Sequence, residues 1–220
     1  PHVSVGSDAG IVDWPKLGAI ALEVENVEAY APFVEGYGLL SSSGLSQGVL
    51  VQGIDPELES DVSPISQYMV VGEVAYLQPG EYGIVLGNLL ARSLGVIKGD
   101  SVILSTPELN VTPAGIFPRY KRFRVLGVFQ VGAQVDNGLA FIHYQDAQKL
   151  FRLANKVTGV KLRIVDPFSV EMTAKALEEK AGEGLVVKTW AMEMSSLFQA
   201  IKMEKKVVGV LLAAIVTVAA

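Results

Sequence analysis

PELNVTPAGIFPRYKRF, residues 107–123, separates two strand-like runs, SVILST at 101–106 and FRVLGVF at 123–129. The segment contains three prolines, and four cations lie at its C-terminal end and in the residue that follows. Because proline lacks a backbone donor and fixes φ, we expect the segment neither to continue a sheet nor to form a helix. Hairpin connections usually take about two to five residues. The sequence therefore predicts a long arm at the end of a hairpin, with Ile116 and Phe117 as exposed apolar residues.

Two interpretations of this segment, a flexible surface loop and a stiff arm, differ in the stiffness that they require. Composition alone is equally compatible with a flexible surface loop. Prolines lower the entropy that a segment loses when it becomes ordered. We therefore expect a stiffened arm with an apolar tip and a basic base.

Periodicity and capping residues predict strands and helices on both sides of the arm. Asp13 is an expected helix N-cap with Pro15 in the first turn, Gly95 closes a small helix, and Asn137-Gly138 is typical of a turn. The predicted strands are His2–Val5, Val27–Leu40, Gly48–Ile54, Ile84–Leu86, Ser101–Thr106, Arg122–Val131, Leu139–His143, Gly159–Val165 and Leu185–Thr189. The predicted helical segments are Asp13–Glu23, Asp55–Glu59, Asn88–Leu94, Gln145–Leu153, Pro167–Ala181 and Glu193–Lys206.

The order of these elements predicts an α+β fold with two subdomains. The first third reads strand, helix, strand, strand, and the last third reads strand, helix, strand. This order approximates the split βαβ arrangement of a ferredoxin-like sheet, built from both chain ends. Residues 56–155 are then a β-rich insertion that carries the long hairpin arm.

Composition excludes several classes of protein. Half of the 220 residues are hydrophobic and 19% are charged, which is the composition of a folded chain. The net charge of −5 argues against a nucleic-acid partner bound through a general basic field. Cysteine is absent, so the chain has neither disulfides nor thiol nucleophiles.

The two chain ends predict a membrane context. The sequence starts at PHVSVGSD without an initiator Met and is expected to be part of a longer protein. Residues 207–220, VVGVLLAAIVTVAA, carry no charge but fall short of the roughly twenty residues that span a bilayer. A truncated transmembrane helix is the preferred interpretation, and a buried C-terminal helix is the alternative. Lys202, Lys205 and Lys206 precede this run, which by a simple positive-inside count places the domain in the cytoplasm.

Candidate chemistry is sparse. His2 and His143 are the two histidines, and neither has neighbours spaced like a metal site. The carboxylates are dispersed, and neither a phosphate-binding loop nor a GxSxG motif occurs. The sequence therefore predicts no catalytic residue, cofactor or metal, and favours an interaction module over an enzyme.

The arm resembles a segment of a known family. TPAGIFPRYKRFRV at 112–125 is similar to the permease subunits of the lipoprotein-releasing (Lol) ABC transporter, of the LolC/LolE type. The resemblance extends over nearly the whole chain. Further matching segments are PHVSV at the start, VLGNLLARSLGVIKGDSVIL at 85–104, FQVGAQVDNGLAFIHYQDAQKLF at 129–151 and KTWAMEMSSLFQAIKMEK at 188–205.

The resemblance implies a domain division. A Porter subdomain would comprise residues 1–55 and 156–206, and a Sabre subdomain residues 56–155. Residues 207–220 would begin the second transmembrane helix. The Sabre would carry a Hook arm at 107–118 that recruits a LolA-type periplasmic chaperone.

The resemblance also implies the contact residues. Pro113 corresponds to the Hook tip, with Ile116, Phe117 and Pro118 as further apolar contacts. Tyr120 and Lys121 fall at the polar pair of a neighbouring patch, the Pad. Ile103 stands nearest to a basic Pad residue on the preceding strand, so Arg119 or Arg122 is expected to substitute.

The implied partners are those of a transporter. They include a cytoplasmic ATPase subunit, a second permease subunit, a lipoprotein substrate and the membrane, with no nucleic acid. The protein would lie in a Gram-negative inner membrane with this domain in the periplasm, since long segments are translocated largely regardless of charge. The Hook favours a LolC-like role. A single hybrid permease that serves both the LolC and the LolE role is the alternative. The competing functions are a MacB-like exporter domain that contacts an adaptor or outer-membrane channel, and a soluble enzyme domain.

Overall fold

The computed structural model describes residues 3–112, 115–132, 135–166, 169–181 and 184–189. Between residues 108 and 118 it describes the backbone alone. The strands are β1 Val3–Ile11, β2 Val27–Ser42, β3 Leu45–Ile54, β4 Met69–Val71, β5 Gly83–Gly87, β6 Ser101–Thr112, β7 Gly115–Phe129, β8 Leu139–His143, β9 Val157–Ile164 and β10 Val186–Thr189. The helices are α1 Trp14–Leu22, α2 Pro56–Val62, α3 Asn88–Leu94, α4 Val135–Gly138, α5 Tyr144–Leu150 and α6 Val170–Ala181, with 3₁₀ turns at Pro64–Tyr68 and Val74–Tyr76.

Strands from both parts of the chain form one antiparallel sheet in the order β10-β1-β9-β2. Helix α1 connects β1 to β2, and α6 connects β9 to β10, which is the order of a split βαβ sheet. Leu17 and Ala21 of α1 and Leu177 of α6 are buried in one core with Val3 and Val5 of β1. The predicted α+β class is therefore confirmed.

Strand β2 continues from this sheet into a closed ring of six strands. The ring has the order β2-β3-β8-β5-β7-β6, and β6 pairs back to β2. Small barrels of this kind are filled by their inward-facing side chains. Leu40, Ile84, Leu104, Phe123 and Ile142 are fully buried and belong to the common core. Side chains therefore fill the interior of the ring.

A second hydrophobic cluster covers part of the outer wall of this ring. It consists of Ile54, Ile65, Val74, Leu77, Val85, Phe129 and Phe141. Its members on the segment after α2 pack over members on β5, β7 and β8. The outer wall is therefore buried on the β5–β8 side.

The arm is a two-stranded ribbon, and the expectation that prolines keep it out of a sheet was wrong. Pairing of β6 with β7 continues to Thr112 opposite Gly115. The register shifts between Thr106 and Leu109, and Pro107 lies in that irregularity. Among the described residues, β6 and β7 pair here only with each other, and proline is tolerated in such edge strands and bulges.

Local signals predicted several elements and missed others. The Asp13 carboxylate accepts a hydrogen bond from the Lys16 amide at 3.3 Å, as expected of an N-cap. The predicted turn at Asn137-Gly138 was wrong, because these residues end helix α4. The Asp136 carboxylate instead shapes this connection by accepting hydrogen bonds from the amides of Val131 and Gly132.

The predicted segments at the C-terminal end lie outside the described residues. These are the helix Glu193–Lys206 and the apolar run 207–220. Among the described helices, none has the length and apolar character needed to cross a membrane.

Candidate functional site

Strand β7 divides the predicted basic residues between two faces. Lys121 pairs with Leu104, which is fully buried inside the ring, whereas Arg122 pairs with the exposed Ile103. Because side chains alternate along a strand, Arg119 and Lys121 share the inward face, and Tyr120 and Arg122 share the outward face. The structure therefore separates Tyr120 from Lys121, which the resemblance paired.

Arg119 contacts the protein itself at the base of the arm. Its guanidinium donates a hydrogen bond of 2.8 Å to the carbonyl oxygen of Lys149, in the last turn of α5. Its Nη1 is buried and has no hydrogen-bond partner within the described part of the chain. Arg119 thus fastens the arm to a helix end.

Lys121 is also engaged by the protein. Its ammonium lies 3.7 Å from the centroid of the Tyr82 ring, which is the geometry of a cation–π contact. Tyr82 packs edge-on against Phe123, with 5.7 Å between the ring centroids. Lys121 therefore packs against the aromatic pair of Tyr82 and Phe123, although its side chain is exposed.

Tyr120 and Arg122 point outward together. Tyr120 is exposed over 68% of its surface and pairs with Ser105. Arg122 lies directly opposite Ile103, at the distance of a cross-strand pair, about 5 Å between Cβ atoms. Arg122 is therefore placed beside the position where the resemblance expects a basic residue and this chain has Ile103.

The apolar contacts predicted for the tip lie at the far end of the ribbon. The backbones of Ile116, Phe117 and Pro118 pair with residues 111, 110 and 109 of β6. Pro113 lies outside the described residues, in the connection between Thr112 and Gly115, which form the last pair of the ribbon. The ribbon thus gives these three residues a fixed backbone.

The histidine in the described chain has a structural contact. His143 is buried, and its Nδ1 accepts a hydrogen bond of 3.2 Å from the Gln145 amide at the start of α5. Burial lowers the pKa of His143, and the carboxylates of Asp146 and Asp55 oppose this effect. His2 lies outside the described residues. Within the described ranges, His, Asp and Glu form no group of three that could hold a metal ion.

Sequence reasoning missed two features because each depends on long-range pairing. The first is an exposed pair on β2, Tyr37 and Leu39, which the ring places beside β6. The second is a buried ion pair in which Lys161 Nζ lies 2.7 Å from Glu59 Oε1, at the edge of a cavity of about 580 Å³. The signal in the sequence for the first feature was the spacing of Tyr37 and Leu39, two residues apart in a predicted strand, which places both on one face.

A split βαβ sheet, a packed ring and a paired ribbon together define an α+β domain. The chain belongs to the MacB-like periplasmic core domain family, whose model matches residues 2–180.

Curated relatives of this chain are lipoprotein-releasing proteins. Over its whole length the chain is 38% identical to the lipoprotein-releasing system transmembrane protein LolC of Neisseria meningitidis serogroup B and 38% identical to LolC of Xylella fastidiosa. It is 23% identical to LolE of Haemophilus influenzae. The chain spans about half the length of these relatives, 54%, 53% and 54%. The resemblance to LolC/LolE-type proteins is confirmed.

Two solved structures share the fold. The extracellular domain of the noncanonic ABC-type transporter YknZ from Gram-positive bacteria matches with a TM-score of 0.54 at 12% identity, over 86% of this chain and 100% of that one. The periplasmic region of MacB from Actinobacillus actinomycetemcomitans matches with a TM-score of 0.54 at 11% identity, over 91% and 92% of the two chains.

Proposed function

We propose that this chain is the periplasmic domain of an inner-membrane ABC transporter permease that recruits a LolA-type chaperone for lipoprotein release. The observation that carries the proposal is the ribbon of β6 and β7, which stays paired to Thr112 and Gly115 beyond the last contact with other strands. The identity to LolC over the whole chain supports it.

The ribbon presents its end to a partner at low entropic cost. A preformed contact element loses little freedom on binding, so even a small interface contributes useful affinity. Pro113, Ile116, Phe117 and Pro118 are the proposed apolar contacts. The exposed Tyr120 and Arg122 extend the contact at its base, where a cation steers an acidic partner and sets its orientation.

The proposed division of the chain follows the family. Residues 1–55 and 156–206 form the Porter, residues 56–155 form the Sabre with its Hook at 107–118, and residues 207–220 begin the second transmembrane helix. Strand β2 belongs to both the split sheet and the ring, so a displacement at the ring is transmitted along a continuous strand. This continuity supports coupling to ATP hydrolysis on a separate cytoplasmic subunit, with a second permease subunit as partner.

A second candidate is a MacB-like exporter domain that contacts an adaptor or an outer-membrane channel. The shared fold with the periplasmic region of MacB favours it. The two candidates differ in the partner that binds the ribbon.

The test measures chaperone binding to the full-length permease purified in detergent. Pro113→Glu and Phe117→Asp place a charge in the proposed apolar contact and are expected to abolish capture of the LolA-type chaperone of the same organism. Met172→Glu is the matched control, because Met172 is exposed in the first turn of α6, where an added acid is tolerated. Chaperone capture that survives both arm variants overturns the proposal, and capture of a channel or adaptor instead supports the second candidate.

A further inference from the structure

The outer wall of the ring has a second region, on the side opposite the buried cluster. We call it the outer face and define it by the outward positions of three adjacent strands. These are Tyr37, Leu39 and Ser41 of β2, Ser101, Ile103 and Ser105 of β6, and Tyr120, Arg122 and Arg124 of β7. Their neighbours Leu40 and Leu104 point inward and are fully buried.

Four large apolar or aromatic side chains are exposed on this face. Tyr37 is 70% exposed, Leu39 47%, Ile103 38% and Tyr120 68%. No described segment of the chain covers them, whereas residues 56–77 cover the opposite wall. Contiguous exposed apolar surface of this kind marks an interaction site.

The outer face is continuous with the base of the arm. Leu39 pairs with Ser105, and Ser105 pairs with Tyr120. Two strand spacings therefore separate Leu39 from Tyr120, or roughly 10 Å. A partner that binds the arm and contacts Tyr120 can therefore also contact β2 on the same surface.

The charge of the outer face indicates what kind of partner surface is complementary to it. The whole chain has 23 acidic and 18 basic residues, but the nine positions of the outer face include two arginines and no carboxylate. Tyrosine and arginine are two of the residue types enriched in protein-binding hot spots. The surface that fits is an apolar patch bordered by carboxylates.

We propose that Tyr37 and Leu39 are contact residues for the protein that the arm recruits, so that its docking surface extends from the arm across β6 onto β2. The inference rests on the proposed function and adds a contact on the strand that the ring shares with the split sheet. A bound chaperone then touches both the arm and the strand that leads toward β9.

The experiment compares dissociation constants of the LolA-type chaperone for the full-length permease in detergent. Tyr37→Thr keeps strand propensity while removing the ring, and Leu39→Asp adds a charge. Each is expected to weaken binding about tenfold or more, as expected for loss of a hot spot. The matched controls are Tyr68→Thr and Leu89→Asp, which change exposed residues away from the outer face and are expected to leave binding unchanged. Thermal unfolding of each variant verifies the fold.

The outcomes separate the two proposals. Loss of binding by Phe117→Asp with normal binding by Tyr37→Thr and Leu39→Asp overturns this inference and leaves the proposed function standing. Normal binding by all three overturns both. If the β2 variants reduce self-association or binding to phosphatidylglycerol vesicles and leave chaperone binding intact, the outer face serves a second copy or a lipid surface, and the inference is wrong. A photocrosslink from position 37 to the chaperone supports it independently of any change in stability.

Discussion

The guanidinium of Arg119 donates a hydrogen bond of 2.8 Å to the carbonyl oxygen of Lys149. Lys149 lies in the last turn of α5, where carbonyls lack intrahelical partners and the helix dipole favours a cation. This one contact joins the base of the arm to a helix of the ring. It shows that a cation in the basic segment of the arm has a role in positioning the arm.

Replacement of Arg119 by Met is expected to lower the free energy of unfolding by about 1–2 kcal/mol, since a hydrogen bond from a charged group is lost. Urea unfolding measures this change. Arg122→Met is the matched control, because Arg122 is exposed on the other face of β7, and it is expected to stay within about 0.5 kcal/mol of the parent. Equal stability of the two variants contradicts the anchoring role of Arg119.

The buried pair of Lys161 and Glu59 predicts a strongly asymmetric response to mutation. Lys161 Nζ donates to Glu59 Oε1 at 2.7 Å and to Gln52 Oε1 at 2.9 Å, and both charged side chains are almost fully buried. Glu59→Ala leaves an uncompensated buried ammonium and is expected to cost about 3–5 kcal/mol of unfolding free energy. The double variant Glu59→Leu with Lys161→Met is expected to recover most of that loss. A double variant less stable than Glu59→Ala would disprove this account.

The burial of His143 predicts a pH dependence of stability. Burial lowers the pKa of His143 in the folded protein, so the unfolded chain takes up a proton at a higher pH than the folded chain. The free energy of unfolding is therefore expected to be highest above the unfolded pKa, near 6.5, and to fall as the pH drops through the folded pKa. Chemical unfolding between about pH 7.5 and 5 measures this slope.

Two variants assign the slope to His143. His143→Asn keeps a side chain that can cap α5 and is expected to flatten the decline below about pH 6.5. His2→Gln removes the other histidine of the chain and is expected to leave the decline intact. The assignment fails if the slope disappears with His2→Gln and persists with His143→Asn.

Elements with strong local signals were predictable from sequence, and the closure of the ring was not. Asn88–Leu94 was predicted with its bounds because Gly95 supplies the left-handed cap, with φ of 65°. Pairing of Ser41 with Ile103 joins distant parts of the chain, and no local pattern specifies it. The proline rule misjudged the arm because it restricts central strands, whereas the ribbon is paired on one side only.

The sequence showed the basic segment after the arm, but not how its side chains are divided between the two faces of β7. The basic segment after the arm was identified, yet Arg119 and Lys121 were grouped with Tyr120 and Arg122. Phe123, between the cations Arg122 and Arg124, is buried and so fixes the inward face of β7. Because side chains alternate along a strand, Lys121 and Arg119 fall on that same face and Tyr120 and Arg122 on the other. The missing information was that β7 is one uninterrupted strand through the basic segment.

The last prediction concerns Ile103, which lies opposite Arg122 on the outer face. Ile103→Arg restores the cation that the family resemblance expects and is expected to raise the association rate of an acidic chaperone severalfold at low salt, because steering acts on encounter. The gain is expected to vanish near 0.5 M salt, where charges are screened within about 4 Å. Adjacent like charges are expected to cost about 0.2–1 kcal/mol of stability.

Stopped-flow binding at two salt concentrations measures the association rates of the Ile103→Arg variant and the parent, with Leu89→Arg as the exposed control. An unchanged or slower rate for Ile103→Arg, or an equal gain for Leu89→Arg, shows that charge at this position does not steer the partner.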